Sequence, residues 1–271
     1  MEPCSKPGRV GACTDAIIAA GIKKVVYAVP DPNPVNRGRA KRVLARHGIG
    51  CERFQISNLK FQRVDENRRA GGSTTSVLQQ AIDLIAPFAK HVTTRLPFVT
   101  VKLAMSLDGK ICDDFGEAKW ISSAASRRAT GALRERVDAI MVGAETIRRD
   151  NPSLLSHGRR NDDLLRVVIS KSGKLPKDAQ VFTDGKNATL VFKDPEEALV
   201  ALGKLGCLHV LCEGGLKLAR SLADQRLVDR WIGVTAPIVI GSRPLAEALR
   251  FEGEDVIFEK ASRVARRTMK K

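Results

Sequence analysis

The pattern of apolar and polar positions changes period repeatedly along this chain, and each change predicts an element. Short apolar runs of strand type fall at residues 23–29, 98–104, 138–142, 166–170 and 208–212. Helical spacing is predicted between them, over 38–47, 78–90 and 123–136 and again beyond Gly215. Thr14 is placed to N-cap a further short helix that Gly21 ends, and Gly48 closes the helix over 38–47. Residues 31–34, a DPNP sequence, read as a turn. Alternation of short strands with helices predicts an α/β fold. Residues 53–76 are polar and rich in arginine and include Gly71 and Gly72, which reads as linker. No internal repeat is visible.

The run at 98–104 stands apart because Lys102 lies between apolar neighbours near its end. Burying a lone ammonium is expensive, so a lysine there has a partner, a task, or a place on an edge strand with its head in water.

Composition narrows the classes. At 271 residues with 43% hydrophobic content, the chain can bury a substantial core, with room for one large domain and a partial one. Lysine and arginine number 46 against 30 acidic residues, a net charge of +16 that raises nucleic acid as a partner. With one tyrosine and two tryptophans, no stretch interleaves bases with aromatics as a stacking platform requires, so no specific nucleic-acid partner is expected. The densest basic run, 260–271, reads as a solvated terminal segment. No apolar run approaches ~18 residues and no charged-then-apolar leader is visible, so neither a membrane span nor a signal peptide is expected. Cys51, Cys112, Cys207 and Cys212 lack framework spacing and read as reduced thiols, which favours the cytoplasm.

The sequences KLAMSLDGK (102–110), WISS (120–123), DAIMVGAETIRRDNPSL (138–154) and CEGGLKLARSL (212–222) occur in order. Together they resemble the reductase domain of the bifunctional riboflavin-biosynthesis deaminase/reductase. The resemblance implies a dihydrofolate-reductase-like α/β domain over 95–271. It also implies NADPH-dependent reduction of the ribosyl group of 5-amino-6-(5-phosphoribosylamino)uracil to the ribityl form, and homo-oligomers.

Carried over residue by residue, the catalytic positions are Lys102, Asp150 and Glu213. Lys102 and Glu213 carry opposite charge at the ends of two strands, where an ion pair would orient both. Cofactor contacts fall on Ala104, Trp120, Thr146, Asp150 and Lys171, and on Gly215, Leu216, Lys217, Leu218, Ala219, Arg220 and Ser221. Contacts to the phosphorylated pyrimidine fall on Arg134, Leu154, His157 and Glu213. Several of these have ordinary structural readings too: Trp120 as core, Asp150 as a helix-end cap, Arg134 as an exposed helix arginine. Gly214 and Gly215, between a strand and a helix, suit close backbone approach to phosphate. Two positions depart from the family: Ala118 stands where a serine is usual, and His157 where an arginine is usual, with Arg159 and Arg160 nearby.

Residues 1–52 resemble the back half of the same family's deaminase domain, joined by 53–94 as linker and connecting helix. Cys4 and Cys13 fall on its two zinc-ligand cysteines, while the His-x-Glu segment belongs upstream of Cys4. His47 and His91 are followed two residues later by Ile49 and Thr93. The zinc site is therefore expected to be incomplete and this chain to lack deaminase activity. Two other readings remain at this point. One is a dihydrofolate-reductase-like oxidoreductase acting on another heterocycle, and the other is a basic, non-enzymatic binding protein on a decayed enzyme scaffold.

Overall fold

The structure, a computed structural model, describes residues 1–8, 10–54, 77–118, 121–156 and 164–261. The chain divides into two compact units, residues 1–93 and 94–271. Most of the expected linker at 53–76 lies outside the described residues.

In the first unit, strands β1 (Lys24–Tyr27) and β2 (Gly50–Arg53) pair in parallel. Helices α1 (Cys13–Ala19) and α2 (Arg39–Ala45) accompany them. Ala40, Leu44, Ile49 and Cys51 form its buried core, with Ile17, Ile18, Val25 and Tyr27 against them. Glu2 is buried and fastens this unit: its carboxylate accepts from the N–H groups of Asp31, Gly38 and Ala40.

Two local expectations change here. Thr14 is inside α1, whose N-cap is Ala12 with no side-chain cap bond. Cys4 takes over the capping: its carbonyl accepts from Thr14 N–H (3.1 Å) and its Sγ from Cys13 N–H (3.2 Å), so the first donors of the helix are already satisfied. Strand β2 went unread because only Cys51 of its four residues is buried, which leaves almost no period-2 signal. Helix α3 (Val77–Thr94) runs beyond the expected end at 90 and contains Pro87.

The second unit is built on a seven-stranded sheet. Its strands are β3 (Phe98–Met105), β4 (Ala139–Gly143), β5 (Leu165–Ile169), β6 (Thr189–Phe192), β7 (His209–Cys212), β8 (Arg230–Thr235) and β11 (Val256–Ala261). Their order is β11-β8-β3-β7-β4-β5-β6, parallel throughout except for β11, which runs antiparallel to β8. A small ribbon of β9 (Ile238–Val239) and β10 (Leu249–Arg250) lies beside it in sequence. Lys102 is thus on an interior strand, between β8 and β7, and the edge-strand reading is excluded.

Alternation in the strands separates two cores. Val99, Val101, Met141, Val167, Val210 and Cys212 face helices α7 (Pro195–Lys204) and α8 (Leu216–Asp224). Ile140, Val142 and Val168 face the other way, against Ile147 of α5 (Ala144–Asp150) and Val181 of α6 (Gln180–Thr183). Helix α4 (Ala124–Arg134) is N-capped by Ser123, whose side chain accepts from Ser126 N–H.

Arg166 is fully buried on β5. Its guanidinium donates to both carboxylate oxygens of Asp184 (2.6 and 3.0 Å) and to the carbonyls of Ser153 and Asn187. The Arg166 hydrogen bond holds the Asp184 carboxyl below its ordinary range. Asp184→Ala should therefore destabilise the protein by roughly 3–5 kcal/mol in urea unfolding at neutral pH, because a buried guanidinium loses its counter-ion. The wild-type contribution is present above the ordinary carboxylate range and is lost as pH falls through the lowered value.

Candidate functional site

Four adjacent parallel strands, β3, β7, β4 and β5, end on one side of the second unit. Val101 pairs with Cys212, so Lys102 and Glu213 are the next residues of their strands, at one level and on one face. The Glu213 N–H donates to the Met141 carbonyl at 3.0 Å and carries the ladder one residue past β7. Beneath it the Cys212 thiol is fully buried and pushed up to about 12 by desolvation, so it stays protonated and inert.

The Glu213 carboxylate is taken by Arg134, at the last position of α4. Nε donates to Oε1 at 2.7 Å and Nη2 to Oε2 at 2.9 Å, while Nη1 donates to the Leu155 carbonyl at 2.9 Å. Both side chains are largely buried, at 18% and 13% exposure. Burial works against the Arg134 charge, but the Glu213 hydrogen bonds and charge outweigh it and raise the guanidinium above its usual value.

The expected pairing of Lys102 with Glu213 is therefore replaced by a fork from Arg134. Lys102 makes no hydrogen bond or ion pair with the described residues. Burial lowers its pKa from the ordinary 10.5; Glu213 and Asp255 favour its charge and Arg134 opposes it. Asp255, in the turn before β11, was not foreseen from sequence. Its Oδ2 accepts from Ser123 N–H at 2.8 Å, at the start of α4. An acidic residue in a polar turn carries no signal that distinguishes it.

The other carried-over positions among the described residues follow the same strands in sequence or lie on them. Ala104 is half-buried two residues beyond Lys102, on the same face of β3. Thr146 and Asp150 are half-buried on α5, directly after β4, and Lys171 is exposed just after β5. Gly215 is the N-cap of α8, whose first turn has no side-chain cap and follows β7. In that helix Leu216, Lys217 and Arg220 are exposed and Ser221 is half-buried, while Leu218 and Ala219 are core side chains. Gly214 is needed for packing: a Cβ there would meet Leu218 Cδ2 at 2.7 Å. Leu154 is also a core side chain, with φ of +52°, and directly precedes Leu155, whose carbonyl Arg134 uses. Trp120 and His157 lie outside the described residues. Ala118 packs against the cluster of Ile121, Ala236, Ile238 and Ile240.

Residues 106–117, absent from the sequence-based assignment of roles, form a clasped loop beside Lys102. Asp108 accepts from the N–H groups of Ile240 and Gly241, and Asp113 from those of Phe115, Glu117 and Leu245. The Ser106 hydroxyl and the Gly241 N–H hold the Asp108 carboxyl down at about 2. From α5, Arg149 braces the loop by donating to the Phe115 carbonyl at 3.1 Å while paired with Glu145.

In the first unit Cys4 and Cys13 are neighbours, with Sγ atoms 3.2 Å apart and unbridged. Among the described residues no group of three or more His, Cys, Asp or Glu side chains is arranged to hold a metal ion. No helix among them is long and apolar enough to cross a membrane.

A mixed α/β sheet with charged residues at the carboxyl ends of its parallel strands defines the class as a dihydrofolate-reductase-like reductase domain. Residues 97–268 match the RibD C-terminal domain. The riboflavin biosynthesis protein RibD of Synechocystis is 31% identical, over 89% of this chain and 67% of its own length. That of Corynebacterium ammoniagenes is 32% identical, over 92% of this chain and 71% of its own. Among solved structures, the Thermotoga maritima diaminohydroxyphosphoribosylaminopyrimidine deaminase/5-amino-6-(5-phosphoribosylamino)uracil reductase superposes with a TM-score of 0.74 at 26% identity. It covers 95% of this chain and 76% of its own. Acinetobacter baumannii RibD gives a TM-score of 0.71 at 25% identity, over 97% of this chain and 79% of its own. The chain belongs to the RibD C-terminal domain family and is a reductase of riboflavin biosynthesis. The readings as a reductase of another heterocycle or as a non-enzymatic binder are not favoured.

Gly116 tests the loop brace. Its φ is +85°, and a Cβ would collide with the Arg149 guanidinium. Gly116→Ala should cost about 1 kcal/mol or more in thermal unfolding and release the loop from Arg149, which faster amide exchange over 113–117 would register.

Proposed function

We propose that this chain reduces the ribosyl group of 5-amino-6-(5-phosphoribosylamino)uracil to the ribityl form with NADPH. The observation that carries the reading is the set Lys102, Glu213 and Arg134, half-buried where β3 and β7 end. Bound NADPH supplies a hydride to the sugar carbon that bears the amine. The chain's own residues have three tasks: to hold the pyrimidine, to supply a proton to the sugar oxygen released as the ring opens, and to exclude water. Lys102 is the candidate at the reacting centre, an ammonium whose pKa is lowered by burial and which has no hydrogen-bond or ion-pair partner among the described residues. Glu213 faces the heterocycle beside it. Asp150, half-buried on α5, is read as the contact to the sugar hydroxyls. The open first turn of α8 from Gly215 offers backbone N–H groups to the cofactor's phosphates.

We assign the pyrimidine's phosphate to Arg134, His157, Arg159 and Arg160, and the cofactor's remaining contacts to Ala104, Thr146 and Trp120. Residues 1–52 are read as the back half of a deaminase fold. Cys4 and Cys13, with Sγ atoms 3.2 Å apart, are read as the two thiolate positions of that fold's zinc site, two of the four ligands that a closed tetrahedral site needs. Six unbridged cysteines support a cytoplasmic setting. The exposed apolar side chains of Val256, Ile257 and Phe258 on the edge strand β11 support a homo-oligomer.

Incubation of the purified chain with the phosphorylated pyrimidine and NADPH should give ribityl product and stoichiometric NADPH oxidation; absence of both would refute the function. Lys102→Ala should lower kcat by about 100-fold or more while NADPH binding persists, since a proton donor at the reacting centre acts in the transition state. The alkaline limb of the wild-type kcat profile should lie below the ordinary lysine value of 10.5, because burial favours the neutral amine. NADPH should bind more tightly than NADH, with Lys171→Ala reducing that preference by on the order of tenfold in calorimetric titrations. Equal affinities in the wild type would remove Lys171 from the cofactor site.

A further inference from the structure

We infer that Asp255 is a further positioning residue of the reductase site, one that acts through Lys102. Held at the start of α4, its carboxylate is the countercharge that keeps the Lys102 ammonium ready to donate a proton. This inference rests on the proposed reductase function and deepens it. Register places the two groups. On β8, Ile232 pairs with Lys102 on one side and Thr235 pairs with Val256 on the other. Asp255, one residue before Val256, falls at the level of Ala236, so alternation puts it on the face that Ile232 shares with Lys102. Residues 251–254 and 256–259 are exposed, while Asp255 between them is half-buried. It is tied to the start of α4, where Oδ2 accepts from the Ser123 N–H at 2.8 Å. Burial opposes its charge, but hydrogen bonds from Ser126 and Ser123 and the charge of Arg127 outweigh it and lower the carboxyl below its ordinary value. Asp255 is therefore an anion fixed in place at neutral pH.

The charges that act on Lys102 come from three elements: Glu213 after β7, Arg134 at the end of α4, and Asp255 before β11. Strand β8 adds the apolar Ile232 and Val234 on the same face. In the loop after β3, Asp108 and Asp113 are taken up by backbone N–H groups. Glu213 and Arg134 meet at 2.7 and 2.9 Å, so their opposite charges largely cancel at the more distant Lys102. Asp255 then supplies the excess negative charge in the surroundings of Lys102. Arg127, which favours the Asp255 charge, donates to the Ser122 carbonyl and so belongs to the same turn at the start of α4. A carboxylate set there steadies the proton on Lys102 without forming an ion pair that the reaction would have to break.

Asp255→Asn tests the charge alone, because the amide oxygen still accepts from the Ser123 N–H. With the full chain, NADPH and the phosphorylated pyrimidine, the alkaline limb of kcat/KM should move to lower pH by about 0.5–1.5 units, the effect of one charge acting across several ångströms at intermediate dielectric. The direction follows from the sign: loss of a nearby carboxylate disfavours the ammonium. Asp255→Glu keeps the charge and should leave the limb within about 0.3 unit of wild type. Lys102 can also be titrated directly, by NMR of the chain labelled at lysine Cε, its resonance identified by its absence from Lys102→Ala. That titration should shift downward in Asp255→Asn as the limb does. Should Asp255→Asn not fold, judged by its melting profile and NADPH binding, Asp255→Ser removes the same charge and should give the same shift. A limb and a Lys102 titration that stay at wild-type values without the charge would overturn the inference, whatever the loss of kcat. So would an equal movement in Asp255→Glu. An inactive wild-type chain would instead refute the reductase function itself, and the Lys102 titration would still decide whether Asp255 sustains its charge.

Discussion

Parallel pairing of β3 with β7 is the constraint on which the site depends. The register that sets Val101 beside Cys212 brings Lys102 and Glu213 to one face at one level. Side chains on a strand alternate, so a slip of one residue would turn Lys102 into the core formed with α7 and α8 and bring Leu103 to the site. Cost enforces the register: Val99 and Val101 fill that core on one face, while Thr100 on the other hydrogen-bonds His209 at 2.8 Å. Burial lowers the pKa of His209 to about 4, so this contact is made by a neutral ring at neutral pH. The apolar face and the charged face are thus fixed by one choice of pairing.

Charge at the site is nearly balanced, and the balance explains why it can be partly buried. Lys102 and Arg134 face Glu213 and Asp255, and each influences Lys102 in the direction its sign requires. An isolated ammonium at this depth would lose its proton readily; beside two carboxylates it keeps much of its charge. With Glu213 held by the fork of Arg134, Lys102 makes no hydrogen bond or ion pair with the described residues. A proton donor needs that freedom, because an ammonium locked in an ion pair would have to break it during the reaction.

The sequence made the alternation of strands and helices legible, because continuous apolar runs such as 138–142 and 166–170 mark strands buried on both faces of a parallel sheet. It hid β2, whose single buried residue leaves no period. At the site, Lys102 was visible as a charge within an apolar strand, and the glycines after Glu213 marked a strand-to-helix turn. The partnership of Arg134 with Glu213 was not, since 79 residues separate them and nothing local distinguishes a helix-end arginine that meets solvent from one that meets a carboxylate. Asp255 was hidden for the same reason. Which of several opposite charges meet is decided by tertiary packing, here by a placement of α4 that brings its last residue to Glu213 and its N-cap to Asp255.

The segment from Ser106 to Lys110 shows how a recognisable motif can be mostly architecture. It follows the strand that carries Lys102 and reads like part of the chemistry, yet its polar groups are spent on backbone. Asp108 accepts from Ile240 and Gly241, Ser106 exchanges hydrogen bonds with Lys110, and the Lys110 ammonium reaches the Gly241 carbonyl and Asp114. Asp113 repeats the device at Leu245. Two loops distant in sequence are closed onto each other by carboxylates that take up otherwise orphaned N–H groups, a requirement as strict as any catalytic one. Residue identity in such a loop reports the backbone path that must be held at the end of β3. The chemistry begins with Lys102, and the loop keeps the end of its strand in place.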